Sequence, residues 1–451
     1  MFKFKPLSKR ETRLILFFFL LLGFSVRIIF VPYWVKIDGD LLLFSDWGIK
    51  FWQYGTKDFY FVKDWHYATP NYPPIISLVY GASYWLFDHK FYLAQLHNLI
   101  RIPPAVFIIY FYREGYWLLL KMPSILSDLG IAAIIYKLVK DFTKSFKVAF
   151  AASLFYLFNP ISIFLSGVWG QSDSMVSLLG MGAFTLLIRG MPGASILFYF
   201  SSLYIKPNWL IFAPLYLFIF YKLRPKLRSL VIGSVSTIAL FVVSTAPFAK
   251  EGILPFSWWL LRERIIPTAT VAGKLSVSAF NFYTIFFTID KHPVTTQVLG
   301  LPLGMAGWIL FLTVNLIVIS GLVKKKLSEP DVVYSLFTIG FAGFLFLPNM
   351  LERYFFPSFI PMIILIFSQP RLLTYGLIIN MSLFMNIVWA FFRRTKGEIN
   401  DFFTENNFLV IRILSSLVAL SWLFIVTRGE FQTKHVTSLK NKLLMLKFSR
   451  G

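Results

Sequence analysis

Long apolar runs, most of about the length of a membrane-crossing helix, alternate along this chain with short polar joints rich in Lys and Arg. The pattern predicts helical spans over 12–32, 74–88, 91–112, 116–139, 146–166, 173–189, 192–205, 207–222, 227–247, 302–323, 331–348, 355–368, 371–392 and 408–427. Two stretches strain a simple alternation. Arg101 and Pro103-Pro104 interrupt 91–112, which leaves a surface helix as the alternative there. Basic residues bracket 192–222, so both its ends belong on one side, and it reads as two short helices meeting near Lys206-Pro207. Two long polar and aromatic segments, 33–73 and 248–300, are expected on the opposite, outer side, and a basic tail follows over 428–451.

Composition agrees. Hydrophobic residues make up 57% of the chain and charged ones 14%, too little polar surface to cover so much apolar area in water. Only helices and closed barrels satisfy their backbone in lipid, and runs of this length exclude a porin-like barrel. The expected fold is therefore all-α: a polytopic transmembrane helical bundle of about 12–14 spans with long outer loops, forming one membrane module over 1–427. Lys3, Lys5, Lys9 and Arg10 precede the first run, which lacks a small-residue cleavage site and reads as an uncleaved first helix. Basic joints at Lys137–Lys147, Lys222–Arg228 and Lys324–Lys326 join both termini on the cytoplasmic side of a multi-pass cell-membrane protein. The net charge of +23 is thus assigned to the positive-inside bias and to membrane lipids as partners, with no nucleic acid. Without cysteine there are no disulfides, no thiolate chemistry and no Cys-ligated zinc.

Chemistry is expected where polar motifs converge at one bilayer rim. An even number of predicted spans separates Asn71-Tyr72-Pro73-Pro74 from Trp169-Gly170-Gln171-Ser172-Asp173, and this in turn from Leu351-Glu352-Arg353-Tyr354, so all three open on the outer face with the loop that carries Asp46. Trp169, Gln171 and Asp173 combine an apolar ring face with hydroxyl partners, the pairing that sugar recognition needs, although Asp173 also suits a helix N-cap. Arg353 offers a planar fork for phosphate oxygens, with Glu352 to orient it; interfacial snorkelling is its alternative role. Lys206, Arg262 and Arg264 are further phosphate-binding candidates, and Tyr72 joins the substrate-binding set. Arg27 and Asp128, expensive inside hydrocarbon, are expected to be structurally paired. No metal site is expected, since no His-Glu cluster has ligand spacing; Asp46, Asp173 and His66 leave a divalent ion as the alternative.

The ordered set from Phe44-Ser45-Asp46-Trp47, Trp52, Gly55 and Phe59-Tyr60 through Tyr72-Pro73-Pro74 and Trp169–Asp173 to Glu352-Arg353-Tyr354-Phe355-Phe356-Pro357 resembles the GT-C superfamily of membrane glycosyltransferases. It is most similar to the prokaryotic mannosyltransferase-like branch related to GPI-anchor mannosyltransferases. The resemblance implies a GT-C-like fold and a hexosyltransferase, with no cofactor, that moves a mannose-like hexose from a polyprenyl or dolichyl phosphate to a glycan, lipid or protein acceptor outside the cytoplasm. It implies Asp46 as the general base of an inverting displacement, with Asp38 and Asp40 as second choices; Asp46 is otherwise a solvated loop acid or the cap of a helix over 46–54. Asn71 and Leu351 depart from the family's usual Asp and His. A lipid-linked sugar transporter or flippase is the alternative function.

Overall fold

A computed structural model of the protein describes residues 9–35, 37 and 39–429; Asp38 and the tail beyond 429 lie outside the described residues. The described chain is almost entirely helical, with one two-residue strand pair, Gln297–Val298 against Leu301–Pro302, in the second long loop. Among the described residues six helices are long and apolar enough to cross a membrane, or up to seven if the bent pair Phe146–Leu157 and Pro160–Trp169 is one span. The protein is therefore an all-α, polytopic membrane protein. Asp173–Ile188, Pro192–Ile205 and Phe356–Ser368 are shorter apolar helices. Phe356–Ser368 is buried along nearly its whole length, as befits a helix apolar on every side.

Breaks fall where backbone chemistry demands them. Asn159 accepts from the backbone N–H of Ile161 (3.0 Å) ahead of Pro160, bending that pair by 41°, and its amide donates to Asn380 (2.8 Å). Lys206, extended at φ −158° before Pro207, ends Pro192–Ile205 and begins the next helical segment, as expected. Two expectations are corrected. The runs 91–112 and 116–139 are not separate spans: a short helix, Phe91–Ile100, stops at a left-handed Arg101, and one 39-residue helix, Ala105–Thr143, takes up the rest. Nothing between Tyr112 and Tyr116 breaks a helix, so once past Pro104 it runs on for about 58 Å. The helix weighed for 46–54 starts earlier, and helical chain covers Gly39–Phe59 with a kink at Gly55 (φ +70°), so ordered helix fills much of the first long loop.

Arg27 and Asp128 do pair, inside the protein and fully buried, at 2.8 Å. The guanidinium also donates to Ser162 and to the carbonyls of Gly23 and Leu157, while Tyr156 and Ser166 donate to the carboxylate. Nearly every donor and acceptor of the pair is thus occupied, the condition under which a buried ion pair is tolerated. Replacing Asp128 with alanine strands the guanidinium and is expected to destabilise the protein by about 3–5 kcal/mol. The thermal unfolding midpoint in detergent measures this, and an unchanged midpoint would contradict the account.

The bundle has chemically distinct ends. Arg189, closing Asp173–Ile188, pairs with Asp141 (2.8 Å) and Glu329, and Lys222 donates to the carbonyl of Val323 (2.8 Å) beside the Lys324–Lys326 joint. Asp173 starts the same helix that Arg189 closes, so Asp173 and its partners occupy the opposite end.

Candidate functional site

At that opposite end the chain assembles charge around one guanidinium. The Pro160–Trp169 segment finishes in a π-helical stretch, Phe164–Trp169, and Gly170 turns it sharply at φ +76°, a conformation that side-chain-bearing residues rarely adopt. The turn is fixed from inside by Lys121, buried on Ala105–Thr143, whose ammonium donates to the carbonyls of Val31, Gly167 and Val168 at 2.7–3.1 Å. Ser124, one turn on, donates to the Gln171 carbonyl (2.6 Å). Gln171 and Asp173 are therefore held on rigid backbone.

Arg353 lies in the turn between Glu329–Phe346 and Phe356–Ser368. Its Nη2 donates to Asp40 (3.0 Å), its Nη1 to Glu352 (2.5 Å), and its Nε stands 4.0 Å from Asp173. The Gln171 amide donates to the same Asp40 oxygen (2.8 Å). Asp173 receives Lys206 at 3.1 Å on both oxygens and Asn208 at 3.1 Å on one. Trp169 lies under the Arg353 guanidinium at 5.1 Å and Tyr354 beside the Lys206 ammonium at 5.6 Å, favourable cation–ring contacts in a dry setting. Glu352 is anchored in turn by Ser278 of the second long loop. Burial alone would push Arg353 down, but the carboxylates of Glu352, Asp40 and Asp173 together hold it well above its ordinary value. Burial pushes Tyr72 well up and Tyr354 to about 12, so both phenols keep their protons.

The expected residues divide clearly. Tyr72, Trp169, Gln171, Asp173, Lys206, Glu352 and Arg353 gather here. Asp46 faces another direction: His66 donates its backbone N–H to one carboxylate oxygen (3.0 Å), and its ring Nδ1 stands 2.9 Å from the other. That places Asp46 nearly sealed, at 6% exposure, whereas Asp40 keeps 35%. Arg264 belongs to the contact between the two long loops, and Arg262 is exposed, 3.4 Å from Glu263. Among the described residues no three His, Asp or Glu side chains gather as metal ligands; Asp46, Asp173 and His66 do not form such a set. No family model matches the chain, and no curated protein does. Ser278 and Asn208, which hold Glu352 and Asp173, carry no motif that would have marked them; the break at Lys206-Pro207 is the nearest signal for Asn208.

Proposed function

We propose that this protein is a membrane hexosyltransferase taking its sugar from a lipid-phosphate carrier, with Asp40 as general base and Arg353 as the phosphate grip. One observation carries the reading: residues from four distant segments meet in a single charged cluster at one end of an apolar bundle, and Asp40, at 35% exposure, is the most accessible of its carboxylates. In the displacement, the acceptor oxygen bonds to the anomeric carbon while its proton passes to Asp40. The bond from that carbon to the phosphate oxygen breaks, and the lipid phosphate leaves with the electron pair. Attack and departure on opposite faces invert the anomeric centre. Arg353 and Lys206 offset the charge that grows on the leaving oxygen. Gln171 and Asp173 hold Asp40 and Lys206 in place, and Trp169 packs under the Arg353 guanidinium.

Geometry favours Asp40 over Asp46 for the base, because both Asp46 oxygens are engaged by His66 and little of the side chain is accessible. Transport of a lipid-linked sugar is the weaker reading. Its charges belong along a path through the bundle, and the charged pair within the helices, Arg27 with Asp128, is saturated by its own neighbours. Purified protein incubated with an acceptor extract and a panel of polyprenyl-phosphate hexoses is expected to release polyprenyl phosphate and form a glycosylated product. Failure with every donor, under conditions that keep the protein folded, would reject the reaction.

A further inference from the structure

The end of the bundle away from Arg353 carries a cavity of about 300 Å³. It lies between the helices Leu303–Val323 and Gly397–Arg428, with Glu329–Phe346 as its floor. Val314, Val318 and Gly321 form one wall, Trp422 and Val426 the other. On the floor, Ser335 and Thr338 turn their hydroxyls back onto the carbonyls of Asp331 (2.8 Å) and Tyr334 (2.9 Å), and the Tyr334 phenol donates to the Val426 carbonyl (2.6 Å). These hydroxyls are spent within the protein, so above Asp331 the groove presents mainly carbon. Gly321 is exposed, and a Cβ placed there would meet nothing within 4 Å among the described residues. The groove therefore has an open side that no packing closes.

Length and charge say what fills it. From Val314 to Lys325 the groove runs about 16 Å, at about 1.5 Å per residue, close to half of a hydrocarbon core roughly 30 Å thick. It spans one leaflet, the depth available to a single lipid tail. Its mouth is basic. Lys325 lines it, and Lys324 and Lys326 flank it, exposed. Lys222 brings the second basic joint, Lys222–Arg228, alongside by donating to the carbonyls of Leu322, Val323 and Lys325. The acids at this rim are already engaged: Asp331 exchanges hydrogen bonds with Ser328, and Glu329 pairs with Arg189. In a bilayer the tail alone cannot select an occupant, because every neighbouring tail is as apolar. Selection falls to the headgroup, and a lysine-rich rim favours a phosphate that carries net negative charge. A carrier whose phosphate meets Arg353 belongs at the opposite end.

We propose that this groove binds one anionic phospholipid of the leaflet at the basic end, a tail lying between Gly321 and Trp422 and the phosphate at Lys324–Lys326. The site is independent of the glycosyl-transfer reading. The test uses the purified, delipidated full chain in detergent, titrated with dioleoyl phosphatidylglycerol, dioleoyl phosphatidylcholine or a polyprenyl phosphate and read by native mass spectrometry. Phosphatidylglycerol is expected to bind about tenfold or more tightly than phosphatidylcholine, which has the same tails. Glycerol phosphate, a headgroup without tails, should not displace it. Gly321→Phe fills the groove without touching the rim and should weaken phosphatidylglycerol about tenfold or more. Changing Lys324, Lys325 and Lys326 together to glutamine should bring it down to the phosphatidylcholine level. A second readout covers the case in which Gly321→Phe fails to fold: one equivalent of phosphatidylglycerol with brominated tails should quench tryptophan fluorescence, and part of that quenching should vanish in Trp422→Phe. Equal affinity for the two phospholipids, displacement by glycerol phosphate, or binding of the polyprenyl phosphate without phosphatidylglycerol would each overturn the proposal. So would undiminished binding by folded Gly321→Phe or quenching unchanged in Trp422→Phe.

Discussion

Asp40→Asn is expected to lower hexose transfer by roughly two to four orders of magnitude, the usual loss when a positioned base is removed. Asparagine keeps the size of the side chain and an oxygen that can accept from Gln171 and Arg353, so the fold should survive. Asp46→Asn is its paired control. It disturbs the contact with His66 and should leave transfer within a few-fold of the parent. Single-turnover rates with a polyprenyl-phosphate hexose, measured on both variants at matched folding, separate the two acids. A large loss in Asp46→Asn with Asp40→Asn near normal would return the base to Asp46.

Arg353→Gln should have a comparably large effect by a different route. The guanidinium is the counter-charge for Glu352, Asp40 and Asp173 and the proposed grip on the carrier phosphate. Its loss should reduce kcat/KM for the lipid-phosphate donor by about two to three orders of magnitude, with donor binding weakened as well as the rate. Three uncompensated carboxylates also threaten stability, so Arg353→Lys is the informative companion. It restores a positive charge without the planar fork, and a partial recovery of donor affinity is expected. Unchanged kinetics in a folded Arg353→Gln protein would remove the phosphate role.

Much of the architecture was legible because it follows from local rules. Pro207 after Lys206 marks a break that stands where it was expected, whereas Pro160 after Asn159 bends the chain inside the single span expected over 146–166, although the same rule applies there. The merger of 105–143 into one helix was not legible, because Arg113 and Glu114 resemble a polar joint in sequence while neither breaks a helix. The motifs with tryptophan, glutamine, acid and arginine did identify most of the cluster. The choice among the acids did not follow from spacing. Asp40 and Asp46 lie on one helix but point about 120° apart, so which faces Arg353 depends on how that helix is rotated by its packing. Tyr116, Tyr80 and Trp47 set that rotation, and a linear motif carries no record of it. Ser278 and Asn208 were invisible for the same reason: their importance comes from neighbours supplied by remote segments.

The saturated arginine in the first helix bears on how the protein is made. Asp128 follows Arg27 by 101 positions, so during synthesis the leading helix leaves the ribosome long before its counter-ion exists. Arg27 stands in the last turn of that helix, where its side chain can reach the headgroups and costs less than the roughly 2.5–3.5 kcal/mol of an unpaired arginine at a helix centre. The first helix should therefore insert with this end close to the lipid headgroups and draw Arg27 inward only when the long helix brings Asp128 to neutralise it.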